Sequence, residues 1–168
     1  MVGFGNYFRE IARLTVQEGQ VPVLRAWKAH LLCGMTFSPA KLRAAAILGL
    51  TGVALGAFGA HLLEPHWVKS LGEVAAAKRL GWWDTGVFYQ LTHAIVLLVL
   101  AFGCPEKHQA RMASYCFVIG VNIFSGTLFL MALTGLKWMG AIVPIGGGLL
   151  IIGWLLLAIM AGKRAGAQ

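Results

Sequence analysis

The sequence predicts an all-α integral membrane protein: a four-helix bundle preceded by an amphipathic helical N-terminal extension. Three observations carry that fold class. Of 168 residues, 58% are apolar and 12% charged, where a soluble domain uses about 25% charged residues to cover its water-facing surface. Four stretches of about 20 residues lack Asp, Glu, Lys and Arg altogether, the length that crosses a bilayer's hydrocarbon core. The remaining charges lie almost wholly in the segments before, between and after those stretches.

The elements follow in chain order. Residues 1–40 form the extension. Phe4, Tyr7, Phe8, Ile11 and Leu14 recur at helical spacing, with Arg9, Glu10, Arg13 and Gln17 on the other side. After Gly19 and Pro22, a second stripe of Val23, Leu24, Trp27, Leu31 and Met35 is opposed by Arg25 and Lys28. Such segments lie in the membrane interface or against a partner. The extension has no short apolar run with a cleavage site. Its basic excess is partly like a mitochondrial presequence, with serine scarce, and it is expected to be retained.

A four-span domain follows at 41–162, with a short basic tail at 163–168. Ser38 and Pro39 give a helix-start signal, the serine as N-cap and the proline in the first turn. Span 1 runs over 44–63, and a polar connection holding Glu64, Pro65, Lys69, Glu73, Lys78 and Arg79 continues to Trp83. Span 2 covers 85–104 and stops at Pro105; span 3 covers 112–136 and span 4 covers 141–161. Within span 4, Pro144 and the run Gly146-Gly147-Gly148 mark a place where the helix is expected to loosen.

Charge sets the orientation. The extension, the second loop and the C-terminus carry ten Lys/Arg, and the other side carries four: Lys69, Lys78, Arg79 and Lys137. Positive residues collect in loops that are not translocated. Both termini are therefore expected on the cytoplasmic side or, in a mitochondrion, the matrix side. The same rule accounts for the net charge of +8, so no nucleic-acid partner is implied. Trp67, Trp82, Trp83 and Trp138 gather on the opposite side as interface anchors. Cys33, Cys104 and Cys116 are odd in number and lack metal-ligand spacing, so neither a disulfide framework nor a zinc site is indicated.

Two groups of residues stand out inside the spans. Gly49, Gly52, Gly56 and Ala60 lie along one stripe of span 1, with Gly126 on span 3 and Gly146 and Gly147 on span 4. Small residues let helices approach closely where no hydrophobic force draws them together. The second group is polar: Gln90 and His93 three apart on span 2, Asn122 and Ser125 three apart on span 3, and His61 at the outer end of span 1. From the helix rise, His93 lies about 12 Å deep and Ser125 about 16 Å deep. The four deep residues are expected to form one cluster, either as interhelical hydrogen bonds or as a proton or ligand site.

Catalytic chemistry finds no foothold. No serine or cysteine sits in a nucleophile elbow, and all six acids lie outside the spans. His61 is only about 3 Å from the boundary against about 12 Å for His93, which disfavours paired haem ligation. No metal site, catalytic residue or cofactor is indicated, bound phospholipid aside.

Four ordered motifs carry a family likeness: LTGVALGAFGAHLL over 50–63, TGVFYQLTHA over 85–94, FSGTLFLMALTG over 124–135 and GAIVPIGGGLLIIGW over 140–154. The chain resembles the small four-span membrane family of unknown function that includes bacterial inner-membrane proteins and the mitochondrial transmembrane protein 256. The likeness implies a compact four-helix membrane fold and supplies no reaction. Together these features lead to the expectation of a non-catalytic accessory or structural subunit of a larger inner-membrane assembly, foremost a mitochondrial respiratory-chain complex. Its partners would be membrane lipids and other membrane subunits. A small oligomeric transporter or channel using the His93 cluster is the alternative, and a bacterial inner membrane the alternative location.

Overall fold

The computed structural model describes residues 37–103 and 108–165, with side chains through 162. The two amphipathic stripes within 1–36, Cys33 and Cys104, and the side chains of the basic tail lie outside the described residues. Apart from residues 37–38, the breaks at 72 and 135–136 and a turn at 142, the described chain is helical: α1 (Pro39–Phe58), a π-helical turn (Gly59–Leu63), α2 (Glu64–Leu71), α3 (Glu73–Gly103), α4 (His108–Thr134), a 3-10 turn (Lys137–Ala141) and α5 (Val143–Ala165). Four helical rods are long and apolar enough to cross a membrane: Pro39–Leu71, Glu73–Gly103, His108–Thr134 and Lys137–Gly162.

The start of α1 falls where the Ser-Pro pair puts it, but for a different reason. Ser38 adopts extended backbone and its side chain makes no cap hydrogen bond. Its backbone N–H instead donates to the Ala101 carbonyl at 2.9 Å. The entry to α1 is thereby tied to the exit of α3.

The expected polar connection after span 1 is helix. Residues 64–84 continue α1 through the π turn and α2, and then begin α3 twelve residues before Thr85; Gly72 alone, at φ 79°, breaks the run. Charge in this segment ends the hydrocarbon span without ending the helix. Glu64 and Glu73 sit in the first turns of α2 and α3, and Lys69 in the last turn of α2, all placed favourably for the helix dipoles. At 1.5 Å per residue, rods of 33 and 31 residues reach well past a core of about 30 Å. The α2–α3 corner therefore projects as a helical cap.

The fourth span also departs from expectation. Lys137–Ala141 forms a 3-10 turn, and α5 begins at Val143. Pro144 thus occupies the first helical turn, where its missing N–H costs no hydrogen bond. Gly146, Gly147 and Gly148 sit in regular α-helix, so no loosening occurs there.

Neighbours along the chain are neighbours in space: α1 packs on α3, α3 on α4, and α4 on α5. The inner rods are 39% and 44% buried over their apolar windows, the outer ones 22% and 17%. The mid-bundle core joins Leu48, Leu97, Leu100, Phe117, Val121 and Leu150. A second cluster, Leu63, Trp67, Ala76, Trp83 and Ala132, fills the outer cap.

Candidate functional site

The polar residues picked out by spacing do not converge on one point. A step of three residues turns a helix by about 300°, leaving side chains about 60° apart. At a crowded helix contact that offset sends the two to different neighbours. On α3, Gln90 faces α1 and donates through Nε2 to the Leu48 carbonyl at 3.0 Å and to Thr51 Oγ1 at 2.7 Å. Thr51 in turn donates to the Ile47 carbonyl at 2.7 Å. Beside this bridge, a Cβ on Gly52 would come within 2.7 Å of Leu91 Cδ2.

His93, 4% exposed, turns toward α4 and α5. Its Nδ1 lies 2.8 Å from the Tyr89 carbonyl. Because a carbonyl only accepts, Nδ1 carries the proton in the neutral ring and Nε2 keeps a lone pair. Tyr89, Phe117 and Trp154 surround the imidazole, with ring centroids at 6.1, 5.3 and 6.3 Å. Within this aromatic box Nε2 is buried without a hydrogen-bond partner, as is Ser125 Oγ.

Asn122 points the other way. It is exposed on α4, midway along the span, and donates Nδ2 to the Val118 carbonyl of its own helix at 2.8 Å. Tyr115, Ile119, Leu130 and Leu133 share its outward face, and a Cβ on Gly126, one turn on, would meet nothing within 4 Å. His61 is exposed on the π turn, apart from the deep polar residues.

The small residues divide in the same way. Gly146 sits against the α4 backbone, where a Cβ would fall 2.5 Å from Phe124 N and 2.9 Å from the Gly120 carbonyl oxygen. Gly56 and Gly147 make looser contacts, with Val87 at 3.4 Å and the Phe124 ring at 3.7 Å. Gly49 meets nothing within 4 Å; it opens onto an apolar groove of about 350 Å³ between α1 and α3, alongside Ala46, Val53 and Leu91. Ala60 is exposed.

Sequence reasoning missed the outer latch. Trp83, 2% exposed, donates Nε1 to the Leu55 carbonyl at 2.9 Å and packs on Phe129, Phe58 and Trp67. A Cβ on Gly59 would lie 2.5 Å from that indole nitrogen, so the indole inserts where the π turn begins. A side chain inserted against the helix ladder, and Pro65 with no N–H to offer one turn later, both favour the widened turn. Arg79 completes the latch: Nη1 donates to the Ala132 and Leu133 carbonyls at 3.3 and 3.1 Å, capping α4 just before Gly135 at φ 76°. Its guanidinium also lies 5.9 Å from the Trp67 ring. The available signal was Trp83 and Arg79 at i and i−4, which places both on one helical face.

Residues 55–147 match the model of a family described as a protein of unknown function (DUF423). A UPF0382 membrane protein of Haemophilus influenzae is 39% identical over 114 residues, covering 67% of this chain and 86% of the relative. The UPF0382 membrane protein YwdK of Bacillus subtilis is 37% identical over 121 residues, covering 70% and 92%. The UPF0382 inner membrane protein YgdD of Escherichia coli is 36% identical over 119 residues, covering 70% and 85%. No solved structure matches.

Proposed function

The chain belongs to the DUF423 family of unknown function, and on that premise we propose that it is a non-catalytic subunit that assembles laterally with other proteins of an inner membrane. The observation that carries the reading is the outward face of α4. Asn122 presents a carboxamide at mid-span, beside the open Gly126. In hydrocarbon, polar groups gain from hydrogen bonds to another helix, and a glycine beside them admits that helix closely. The occupant is a transmembrane helix of a different subunit. The basic amphipathic extension supplies a second attachment on the side of the termini, and a respiratory-chain complex is the first assembly to test.

The experiment is gentle digitonin extraction of the C-terminally tagged chain, followed by native electrophoresis and identification of what migrates with it. Wild-type chain is expected in a large assembly. Asn122→Leu, which removes one hydrogen bond within α4, is expected to release it. Migration of the wild type as a free monomer contradicts the proposal.

A second reading rests on a separate observation, the buried and unpartnered His93 Nε2 and Ser125 Oγ. Such atoms inside a span suit a proton or small-ligand site, and an oligomer would be needed to give four short spans a pathway. That reading predicts a proton flux in liposomes that His93→Ala abolishes; flux unchanged by the substitution removes it.

A further inference from the structure

The imidazole of His93 and the indole of Trp154 meet inside the bundle, and each has one polar atom without a partner. His93 Nδ1 is bonded to the Tyr89 carbonyl of its own helix, so Nε2 presents a lone pair. That atom is buried and makes no hydrogen bond. Trp154, on α5, has ring contacts with His93 and Phe117, at 6.3 and 5.5 Å between centroids. Its indole N–H has no hydrogen-bond partner among the described residues. The first is an acceptor lacking a donor and the second a donor lacking an acceptor. Both are costly away from water.

Trp154 is also far from where tryptophan usually sits in a membrane protein. Its amphipathic ring favours the membrane–water interface. Counting 1.5 Å per residue, position 154 lies about 16 Å from the start of α5 at Val143. That is roughly halfway through a core of about 30 Å. The side chain is nonetheless 49% exposed, whereas His93 is 4% exposed. One wall of the His93 box is therefore an indole open to the bilayer, and it is the wall freest to swing.

A hydroxyl group both donates and accepts. With the indole swung outward, one hydroxyl oxygen satisfies both atoms, donating to Nε2 and accepting from the indole N–H. An ether or a carbonyl cannot do the first. The rings of the box choose the rest of the molecule: Tyr89, Phe117 and Trp154, with Phe124 at 4.4 Å from Tyr89, offer faces and edges that suit a planar ring. Ile151 and Leu155, exposed on α5, continue the apolar surface outward.

We propose that the His93–Trp154 pair binds a lipid-soluble aromatic alcohol, a phenol or hydroquinone, that enters sideways from the bilayer past Trp154. Its hydroxyl bridges the two side chains and its apolar tail lies along Ile151 and Leu155. The inference rests on the reading of His93 as a ligand site and adds the ligand class and the route. It involves binding alone, with no transfer of protons or electrons.

Native mass spectrometry of the purified full-length chain in mild detergent tests it. Three probes are titrated: a decyl hydroquinone held reduced, its dimethyl ether, and decanol. The hydroquinone is expected to bind, and about tenfold more weakly to His93→Leu, the loss of one hydrogen bond in a water-poor site. Trp154→Phe, which keeps a ring and removes the N–H, is expected to weaken it by about threefold to tenfold. The ether is expected to bind wild type about tenfold more weakly than the hydroquinone. His61→Leu, exposed on the π turn, is expected to leave binding unchanged. Should His93→Leu fail to fold, Trp154→Phe and the comparison of hydroquinone with ether decide. Equal hydroquinone binding by wild type and both variants overturns the proposal, as does an ether that binds as tightly as the hydroquinone. Decanol binding as tightly as the hydroquinone, and weakened by His93→Leu, keeps the ligand site and overturns the aromatic class. If His93→Leu weakens no probe, the ligand site itself is removed.

Discussion

The two ends of the bundle are built on opposite plans. At the outer cap, Trp83 and Arg79 fill space, hydrogen-bond the neighbouring helices and close α1, α3 and α4 on one another. At the other end, α1 and α4 stand apart around the cavity edged by Lys41 and Arg111. One end spends its cation on the protein's own carbonyls, and the other borders a cavity with Arg111 exposed at its rim. The difference separates residues that hold the fold from residues available to something else. Substitutions at the sealed end should therefore register as stability, and those at the open end and the outward α4 face as binding.

The largest effect should come from Trp83→Ala. It removes a buried indole, its hydrogen bond and three aromatic contacts, a loss of about 3–5 kcal/mol for a large-to-small core change, read by thermal unfolding in detergent. Gly146→Val should follow at about 1–3 kcal/mol, because a side chain there meets α4 backbone that cannot swing aside. Arg79→Ala should cost about 1–2 kcal/mol through two lost carbonyl contacts at a partly exposed site, and Arg79→Lys less, since the charge stays near the α4 terminus. Smallest of all, Gly126→Ala and Arg111→Gln should change unfolding by less than about 0.5 kcal/mol. A large destabilisation from either would erase the distinction between the two ends.

Much of this architecture was legible in the sequence, and the misses share a cause. Runs free of charge located the four spans, because the bilayer filters composition directly. The same rule misjudged residues 64–84: charge reports where hydrocarbon ends, while helix continuation depends on backbone hydrogen bonds that water permits equally well. Gly52 and Gly146 lie at close helix contacts and Gly56 at a looser one, yet Gly49 and Gly126, on similar stripes, are open. A stripe marks a face, and only the neighbour's position decides whether that face is used. Spacing of three grouped Gln90 with His93 and Asn122 with Ser125. The 60° offset between such residues then sent Gln90 to α1, His93 to the aromatic box, Ser125 inward and Asn122 outward. Gly59 and Gly86 passed unnoticed because each accommodates a single distant ring, Trp83 and Phe129, and no local pattern encodes such a pair.

The central claim, that the Asn122–Gly126 face of α4 meets another protein, is tested most directly by photocrosslinking in intact membranes. A photoreactive residue is placed at position 126, and in a second variant at position 151, whose isoleucine is 69% exposed on α5. The account predicts a discrete protein adduct from 126, lost when Asn122→Leu is added, and lipid adducts from 151. Lipid adducts alone from both positions would contradict it.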